Sequence, residues 1–128
     1  AVSGFPNMLF SYGPLSPSGF SNGPSSAEMQ GEWICAFLVW MRSKGQDLFD
    51  ADPTAEAGWT ETVAQAGEMT LFPEADSWYM SANIPHNNRQ LINFPSLSIY
   101  AAICDDVAEK GYRGFSVENI LNKEATTE

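Results

Sequence analysis

The side chains best suited to acid–base chemistry are few in this chain. His86 is the only histidine, and its polar neighbours predict a turn. A single histidine in a turn is more often a solvated surface residue than a general base. The adjacent carboxylates Asp105 and Asp106 would point apart on a helix. Glu74 and Asp76 lack the facing geometry that a glycosidase pair needs, so we interpret both acidic pairs as solvated charge.

An aromatic and nearly uncharged segment, residues 76–85, is a second candidate. Trp78 and Tyr79 bury large areas and still need partners for an N–H and an O–H group. Such side chains suit the wall of a ligand site, and they suit a core strand equally well. On composition alone a core strand is the more frequent outcome. We expect this aromatic segment to run extended until Pro85 stops it.

The third candidate is a stretch from Leu15 to Ser26 that holds two glycines, two prolines and five serines. This composition predicts a loop. Because glycine lacks a Cβ atom, such a loop can bring free backbone amides close to a ligand. A flexible surface connection is the alternative reading of the same residues.

Charge and motif content exclude several functions. Six basic against sixteen acidic residues give a net charge of -10, which repels nucleic-acid phosphates and anionic lipids, so we expect no nucleic-acid partner and no membrane partner. The sequence has no G-x-G-x-x-G after a strand, no Walker loop and no G-x-S-x-G elbow. The longest apolar run, residues 33–41, is too short to span a bilayer, and no signal peptide is expected at the amino terminus.

Three helices are expected to position these segments. A capping box at residues 25–28 predicts the start of the first helix. Asp52 followed by Pro53 predicts the second. The third is expected to begin at Ser96 or Ser98. The expected ranges are about 25–44, 53–66 and 98–110, the first and third closed by a glycine.

Strands are expected at 5–12 and 112–117, and residues 118–128 form a polar tail that should fray. A chain of 128 residues is at most one small domain, and it shows no internal repeat. The elements together predict a small α+β unit.

The first predicted helix is apolar almost all round. Trp33 and Phe37 lie on one face, while Leu38 and Val39 fill others. Since so small a domain cannot cover such a helix on every side, we expect it to pack against protein outside this chain. Cys35 and Cys104 lie within apolar runs and are expected to be reduced core thiols of a cytoplasmic protein.

Eight different short motifs are distributed along the chain. They are Gly4-Phe-Pro-Asn-Met8, Tyr12-Gly-Pro14, Phe20-Ser-Asn22, Glu28-x-Gln30-x-Glu32-Trp33-Ile34, Thr70-Leu-Phe-Pro73, Ser77-Trp78, Ala82-Asn-Ile-Pro85 and Tyr112-Arg-Gly-Phe115. In this order and spacing they are similar to the carboxyl end of the Baeyer–Villiger monooxygenases, and the cyclohexanone monooxygenase type is the one that the chain resembles most.

The resemblance implies an α/β fold, α+β as an isolated piece, that forms the carboxyl-terminal part of a flavoprotein with two Rossmann-type domains. Such enzymes use FAD and NADPH to insert one oxygen atom of O2 next to a ketone carbonyl, which gives an ester or lactone. The family's glycine fingerprints, its histidine-containing signature and its catalytic arginine lie upstream. This chain is therefore expected to contain no catalytic residue, to be inactive alone and to need the missing amino-terminal part as its partner. Its start at Ala1, without methionine, fits an excised piece.

Site residues follow from the same resemblance. The loop from Gly13 to Gly23 resembles the family loop that passes beside the isoalloxazine ring and the ketone pocket. On that match, Phe20 and Ser21 line the substrate pocket, while Asn22 and Gly23 face FAD.

Trp78 resembles the family tryptophan that hydrogen-bonds the nicotinamide ribose of NADP, a task in which its indole N–H can only donate. By the same comparison, residues 1–45 belong to the FAD-binding domain and residues 46–117 hold the nicotinamide-contacting stretch. No metal site is expected.

The chain departs from the family pattern after Ile84-Pro85, where His86-Asn87-Asn88 replaces a glycine and a lysine. Ser81 stands where glycine is usual. Two further functions are compatible with the same sequence. One is a non-catalytic interaction module derived from the fold, and the other is a related flavin monooxygenase that acts on nitrogen or sulfur.

Overall fold

The computed structural model describes residues 1–17, 19–76, 78–86 and 93–121. Within these ranges the elements are α1 Gly23–Ser43, β1 Leu48–Ala51, α2 Pro53–Glu68, short 3₁₀ helices at Phe72–Glu74 and Trp78–Met80, α3 Leu97–Glu109 and β2 Phe115–Glu118. This mixture of helices and a small sheet confirms the α+β fold expected of the isolated piece. None of the described helices has the combination of length and apolar character that a membrane crossing requires.

Helix α1 begins earlier than the sequence predicts. Its N-cap is Asn22, whose side-chain oxygen accepts a hydrogen bond from the Ser25 N–H at 3.3 Å. Pro24 then occupies the first turn, where its missing N–H is not needed. The prediction that Ser25 caps the helix is therefore wrong, because Asn22 takes that position. The end of the helix is as predicted, with Gly45 in the left-handed region at φ +67.

Phe37 of α1 is the centre of the first core cluster and is fully buried. Its ring lies 4.7–6.2 Å, centroid to centroid, from five other rings: those of Trp33, Trp40, Phe49, Tyr112 and Phe115. These partners come from α1, both strands and the turn before β2. The cluster therefore holds the sheet against one side of the helix.

The sheet pairs β1 with β2 in antiparallel register, with Phe49 opposite Val117 and Asp50 opposite Ser116. The sequence does not predict β1, because a strand of four residues carries little local signal and its partner β2 is distant in sequence. The last strand is confirmed, although it begins only at Phe115, since Tyr112 and Gly114 adopt positive φ.

The prediction of a strand at residues 5–12 is wrong. Asn7 has φ +59, which breaks an extended run. Its N–H donates to the Phe49 carbonyl at 2.9 Å, and its side-chain oxygen accepts from the Phe49 N–H at 3.0 Å. This segment therefore meets the sheet through one residue and continues as turns and irregular structure.

Helices α2 and α3 confirm the second and third predicted helices. Asp52 caps α2 by accepting the Thr54 and Ala55 N–H groups, and Ser96 caps α3. A second core cluster joins the two helices. Its buried members are Val63, Ala66 and Phe94, with Leu15, Trp59, Tyr100 and Ile103 packed around them.

Two further expectations are corrected. The aromatic segment is not extended, because residues 78–80 form a 3₁₀ turn and Ser81, at φ +60, reverses the chain with the Ile84 N–H bonded to its carbonyl. Cys35 is exposed and not a core thiol, while Cys104 is half-buried. The polar turn after Pro85 lies partly, and the tail after residue 121 wholly, outside the described residues.

The side of α1 opposite Phe37 is exposed in this chain. Cys35, Ala36, Leu38 and Val39 are all exposed, Val39 to 66%. The expectation that the helix is buried all round is thus met on one side only within the described residues.

Candidate functional site

Residues 13–22, which we call the glycine loop, are held in a compact shape by their own serines and prolines. Ser16 and Pro17 are buried, and both the N–H and the hydroxyl of Ser16 bond the Gly13 carbonyl, at 3.4 and 2.6 Å. Leu15 adopts φ +61 within this turn. The loop is therefore a formed structure where it is described, which excludes Ser18, and the reading as a flexible connection loses support.

The hydroxyl of Ser21 is used inside the fold. It donates to the Pro17 carbonyl and lies 2.5 Å from the hydroxyl of Ser26. Because Ser21 has one proton and directs it at Pro17, the Ser26 hydroxyl is the donor in the second bond. Both hydrogen bonds of the Ser21 hydroxyl are therefore made within the fold.

Asn22 and Gly23 mark the junction between the glycine loop and α1. The side-chain oxygen of Asn22 is occupied by the cap, whereas no described residue accepts a hydrogen bond from its amide nitrogen. Asn22 is exposed, so this nitrogen is available as a donor to a ligand acceptor. The ring of Tyr12 lies over Gly23, 3.4 Å from the place that a Cβ atom would take.

A line of three rings connects the glycine loop to the aromatic segment. Phe20 meets Phe72 edge to face at a centroid distance of 5.3 Å, and Phe72 meets Tyr79 at 5.0 Å. Beside Phe20 lies an open groove of about 380 Å³. Its lining is almost wholly apolar and comprises Phe20, Thr70, Leu71, Phe72 and Ala75.

Gly19 allows a close approach between the glycine loop and the segment before α3. A Cβ atom at Gly19 would lie 2.8 Å from the amide nitrogen of Asn93 and 3.7 Å from the Tyr79 hydroxyl oxygen. Asn93 is buried. Tyr79 belongs to the aromatic segment and Phe72 to the Thr70-Leu-Phe-Pro73 motif, whereas no sequence pattern points to Asn93.

The remaining candidate residues lie outside the glycine loop. Trp78 opens the second 3₁₀ helix, next to Tyr79, and its side chain is outside the description. His86 is exposed in a turn, and the carboxylates at 74, 76, 105 and 106 are exposed, as expected. Among the described residues no group of three His, Cys, Asp or Glu side chains is arranged to hold a metal ion.

Behind the glycine loop, Gln30, Tyr100 and Cys104 form a polar contact between α1 and α3. Burial raises the pKa of Tyr100 well above its usual value; the neighbouring Cys104 adds to the increase, and Gln30 opposes it. Burial also raises the pKa of Cys104, to about 11, against a hydrogen bond from Tyr100. The indole N–H of Trp33 donates to the Cys104 carbonyl at 2.9 Å, which ties the two helices together.

A second cleft, of about 520 Å³, lies away from the glycine loop, between the start of α2, the end of α3 and β2. Lys110 is paired there with Asp106 at 2.6 Å, and Asp52 caps α2. These charges are used within the fold, so the candidate site remains the glycine loop with the apolar groove.

Known proteins match this chain over most of its length. Cyclopentanone 1,2-monooxygenase of Comamonas sp. is 43% identical over 118 residues, which are 91% of this chain and 22% of the relative. Cyclohexanone 1,2-monooxygenase of Acinetobacter sp. is 36% identical over 91% of the chain and 21% of its own length. A protein of Pseudooceanicola batsensis named Baeyer–Villiger monooxygenase is 37% identical over 84% and 20%. No protein-family model matches the chain.

Solved structures agree with the sequence relatives. The closed crystal structure of a cyclohexanone monooxygenase superposes with a TM-score of 0.83 at 37% identity, over 94% of this chain and 22% of that one. This chain corresponds in sequence and fold to one segment of the Baeyer–Villiger monooxygenases. It spans about a fifth of the length of the curated relatives that it matches.

Other relatives and structural neighbours differ in what their names describe. A structure of the protein OTEMO in complex with FAD and NADP superposes with a TM-score of 0.80 at 29% identity, over 91% of this chain and 21% of its own. A phenazine N-monooxygenase of Lysobacter antibioticus is 38% identical over 90% of this chain and 21% of its own length. The segment therefore occurs in enzymes named for ketone oxidation and in one named for nitrogen oxidation.

Proposed function

We propose that this chain is the carboxyl-terminal segment of an FAD- and NADPH-dependent Baeyer–Villiger monooxygenase that converts a ketone into an ester or lactone. The single observation that carries the proposal is the match to ketone monooxygenases along 91% of the chain at up to 43% identity, with the same fold. When bound, NADPH would supply two electrons by way of the flavin, so that one oxygen atom of O2 leaves as water while the other is inserted beside the carbonyl.

The proposal gives the exposed apolar side of α1 a partner. Leu38 and Val39 are exposed in this chain, which amounts to about a fifth of its relatives. Exposed apolar residues side by side on a helix mark a contact with other protein. We assign this contact to the missing amino-terminal part of the same enzyme, with residues 1–45 joining its FAD-binding domain and residues 46–117 carrying the nicotinamide-contacting stretch.

The residues at the junction of loop and helix fit a flavin. The amide nitrogen of Asn22 is exposed and unused by the cap, so it can donate to a carbonyl of the isoalloxazine ring. Gly23 presents backbone without a side chain. We therefore keep Asn22 and Gly23 on the FAD side and Trp78 on the NADP side of the assembled site.

The substrate pocket is assigned to Phe20 and Ser21. Phe20 supplies an apolar wall, and the groove beside it extends this wall toward Phe72. In this structure the Ser21 hydroxyl is directed at the Pro17 carbonyl. Its contribution is to shape the pocket, and activation of the ketone falls to the part of the enzyme outside this chain.

The test is to express the full-length enzyme that contains these 128 residues and to incubate it with NADPH, O2 and cyclopentanone or cyclohexanone. The expected result is a yellow, FAD-containing protein that forms one lactone per NADPH consumed, measured by gas chromatography. A flavin-free protein, or one that consumes NADPH without forming lactone from any cyclic ketone tried, would contradict the proposal.

Nitrogen oxidation is the second candidate, and the similarity to the phenazine N-monooxygenase favours it. The same preparation is incubated with a phenazine. Formation of an N-oxide at a higher kcat/KM than lactone formation would assign the enzyme to that reaction.

A further inference from the structure

Two polar side chains are buried on the side of α1 that faces the glycine loop. Ser26 is 0% exposed and Gln30 is 5% exposed. They are one helical turn apart, so they project from the same face. Gln30 belongs to the Glu28-x-Gln30-x-Glu32-Trp33 motif, to which the proposed function assigns no task.

Gln30 holds the beginning of the loop. Its side-chain oxygen accepts a hydrogen bond from the Tyr12 N–H at 2.5 Å. Tyr12 is in the left-handed region, at φ +56, a conformation that a tyrosine adopts only when its surroundings impose it. This hydrogen bond to Gln30 thus fixes the backbone at Tyr12, immediately before the glycine loop.

Ser26 holds the end of the loop. Its hydroxyl donates to the Ser21 hydroxyl at 2.5 Å, and Ser21 in turn donates to the Pro17 carbonyl. This relay connects α1 to the interior of the loop through two hydroxyl groups. It reaches the loop beside Phe20, which faces the apolar groove.

Stability alone does not account for Gln30. Its amide nitrogen is buried and forms no hydrogen bond of normal geometry, so that its interaction with the Tyr100 hydroxyl, which lowers the pKa of Tyr100, is poorly aligned. A buried donor with a poorly aligned hydrogen bond contributes less to stability than a fully bonded one. A residue that is less than optimal for stability at a site of this kind is expected to serve function.

We propose that Ser26 and Gln30 are positioning residues, which clamp the two ends of the glycine loop to α1 and so set where Phe20 and Ser21 stand relative to the flavin and the ketone. The proposal rests on the proposed function for its catalytic consequence. Its structural part, the clamp itself, does not depend on which substrate is oxidised.

The first experiment compares Gln30→Met with Gln65→Met in the full-length enzyme. Gln65 is also helical, but it is exposed on α2 and bonds only Glu61. Hydrogen exchange, followed by mass spectrometry, is expected to be about tenfold faster in peptides covering residues 12–22 of Gln30→Met, with α2 peptides unchanged. Gln65→Met should match the wild type throughout. Uniform acceleration in all peptides would show a general loss of stability and overturn the clamp.

The second experiment compares Ser26→Ala with Ser43→Ala, a serine at the exposed end of the same helix whose hydroxyl bonds Trp40. Ser26→Ala is expected to raise the KM for the ketone about tenfold while FAD content and the KM for NADPH stay within twofold. It should also increase the hydrogen peroxide released per NADPH. An equal loss of FAD and ketone affinity, or no change in either, would overturn the proposal.

The experiments distinguish failure of the proposed function from failure of the clamp. If the wild-type enzyme oxidises no ketone, the proposed function falls, while the exchange experiment still supports or overturns the clamp. If Gln30→Met does not fold, Gln30→Glu retains an acceptor oxygen at the same reach and is expected to keep the slow exchange of residues 12–22. Fast local exchange in Gln30→Glu would contradict the role given to that oxygen.

Discussion

The single hydroxyl proton of Ser21 limits what this residue can do in catalysis. It is committed to Pro17, and the remaining contact is received from Ser26. To donate to a substrate, Ser21 would have to give up its hydrogen bond to the Pro17 carbonyl. We therefore expect the proposed substrate pocket to act mainly through apolar side chains such as Phe20.

We expect Phe20→Ala in the full-length enzyme to raise the ketone KM about tenfold. The substitution removes the edge-to-face contact with Phe72 and opens the groove to water, while NADPH binds elsewhere. Phe5→Ala is the control, because Phe5 is also an exposed phenylalanine and lies outside the groove. Steady-state kinetics with varied ketone and varied NADPH separate the two affinities. An unchanged ketone KM would remove Phe20 from the pocket.

For Trp78→Ala we expect NADPH-dependent oxygenation to fall at least tenfold while FAD content changes little, since the indole N–H is assigned to the nicotinamide ribose. Trp59→Ala provides the contrast. Trp59 packs on Phe94 and Tyr100 in the core, so its loss should reduce folded protein and FAD together. If Trp78→Ala shows that same joint loss, Trp78 is a packing residue.

The two cysteines are expected to differ strongly in thiol chemistry. Burial raises the pKa of Cys104 to about 11, so its reactive thiolate is scarce at pH 8, whereas Cys35 is exposed. Titration of the isolated chain with a disulfide reagent at pH 8 should therefore modify Cys35 rapidly and Cys104 only after denaturation. Since the raised pKa favours the protonated thiol in the fold, this contribution to stability persists at neutral pH and declines as the pH approaches 11. Rapid modification of both thiols would contradict this assignment.

Among the elements, α1 has two apolar sides with different partners. One side packs on the sheet through Phe37, and the other exposes Leu38 and Val39. The helix therefore links the core of this segment to the contact that we assign to the rest of the enzyme.

A pair of substitutions tests that division. We expect Phe37→Ala to lower the free energy of unfolding by about 3–5 kcal/mol in both the isolated chain and the full-length enzyme, since it opens a cavity in the core. Val39→Ser should leave the isolated chain as stable and more soluble, yet lower FAD retention in the full-length enzyme. Chemical denaturation and flavin absorbance report the two effects. If Val39→Ser is silent in the full-length enzyme, the contact lies elsewhere.

Local signals predicted the helices well and the strands poorly. Asp52-Pro53, Ser96 and the glycines after α1 and α3 determine helix ends through bonds to near neighbours. The strand at residues 5–12 failed because Asn7 turns into the left-handed region to bond Phe49, which lies 42 positions away. The aromatic segment failed in the same way, at Ser81.

The sequence likewise predicts only part of the candidate site. The position of the glycine loop follows from its composition, and the roles of Phe20, Asn22 and Trp78 follow from resemblance. The bond between Tyr12 and Gln30 and the close approach of Asn93 to Gly19 depend on packing between distant segments, which no local pattern encodes.

The molecule as a whole exposes many large apolar side chains, among them Val39, Met69 and Leu71. We expect the isolated 128 residues to be colourless, to bind a hydrophobic dye and to self-associate. In the full-length enzyme Cys35 should become unreactive toward the same disulfide reagent, because its side of α1 is covered. Analytical ultracentrifugation and thiol titration measure the two states. A monomeric isolated chain that binds no dye would point instead to an independent interaction module.

The pairing of β1 with β2 has a consequence for folding kinetics. Asp50 and Ser116 are 66 positions apart, and Asp47 accepts the Ile120 N–H across 73 positions. Closing so large a loop is slow compared with helix formation. During synthesis on the ribosome, the rings of Phe37 and Trp33 therefore lack two of their partners, Tyr112 and Phe115, until the end of the chain has emerged. This interval of aromatic exposure is when the nascent chain is most dependent on chaperones and most prone to aggregate.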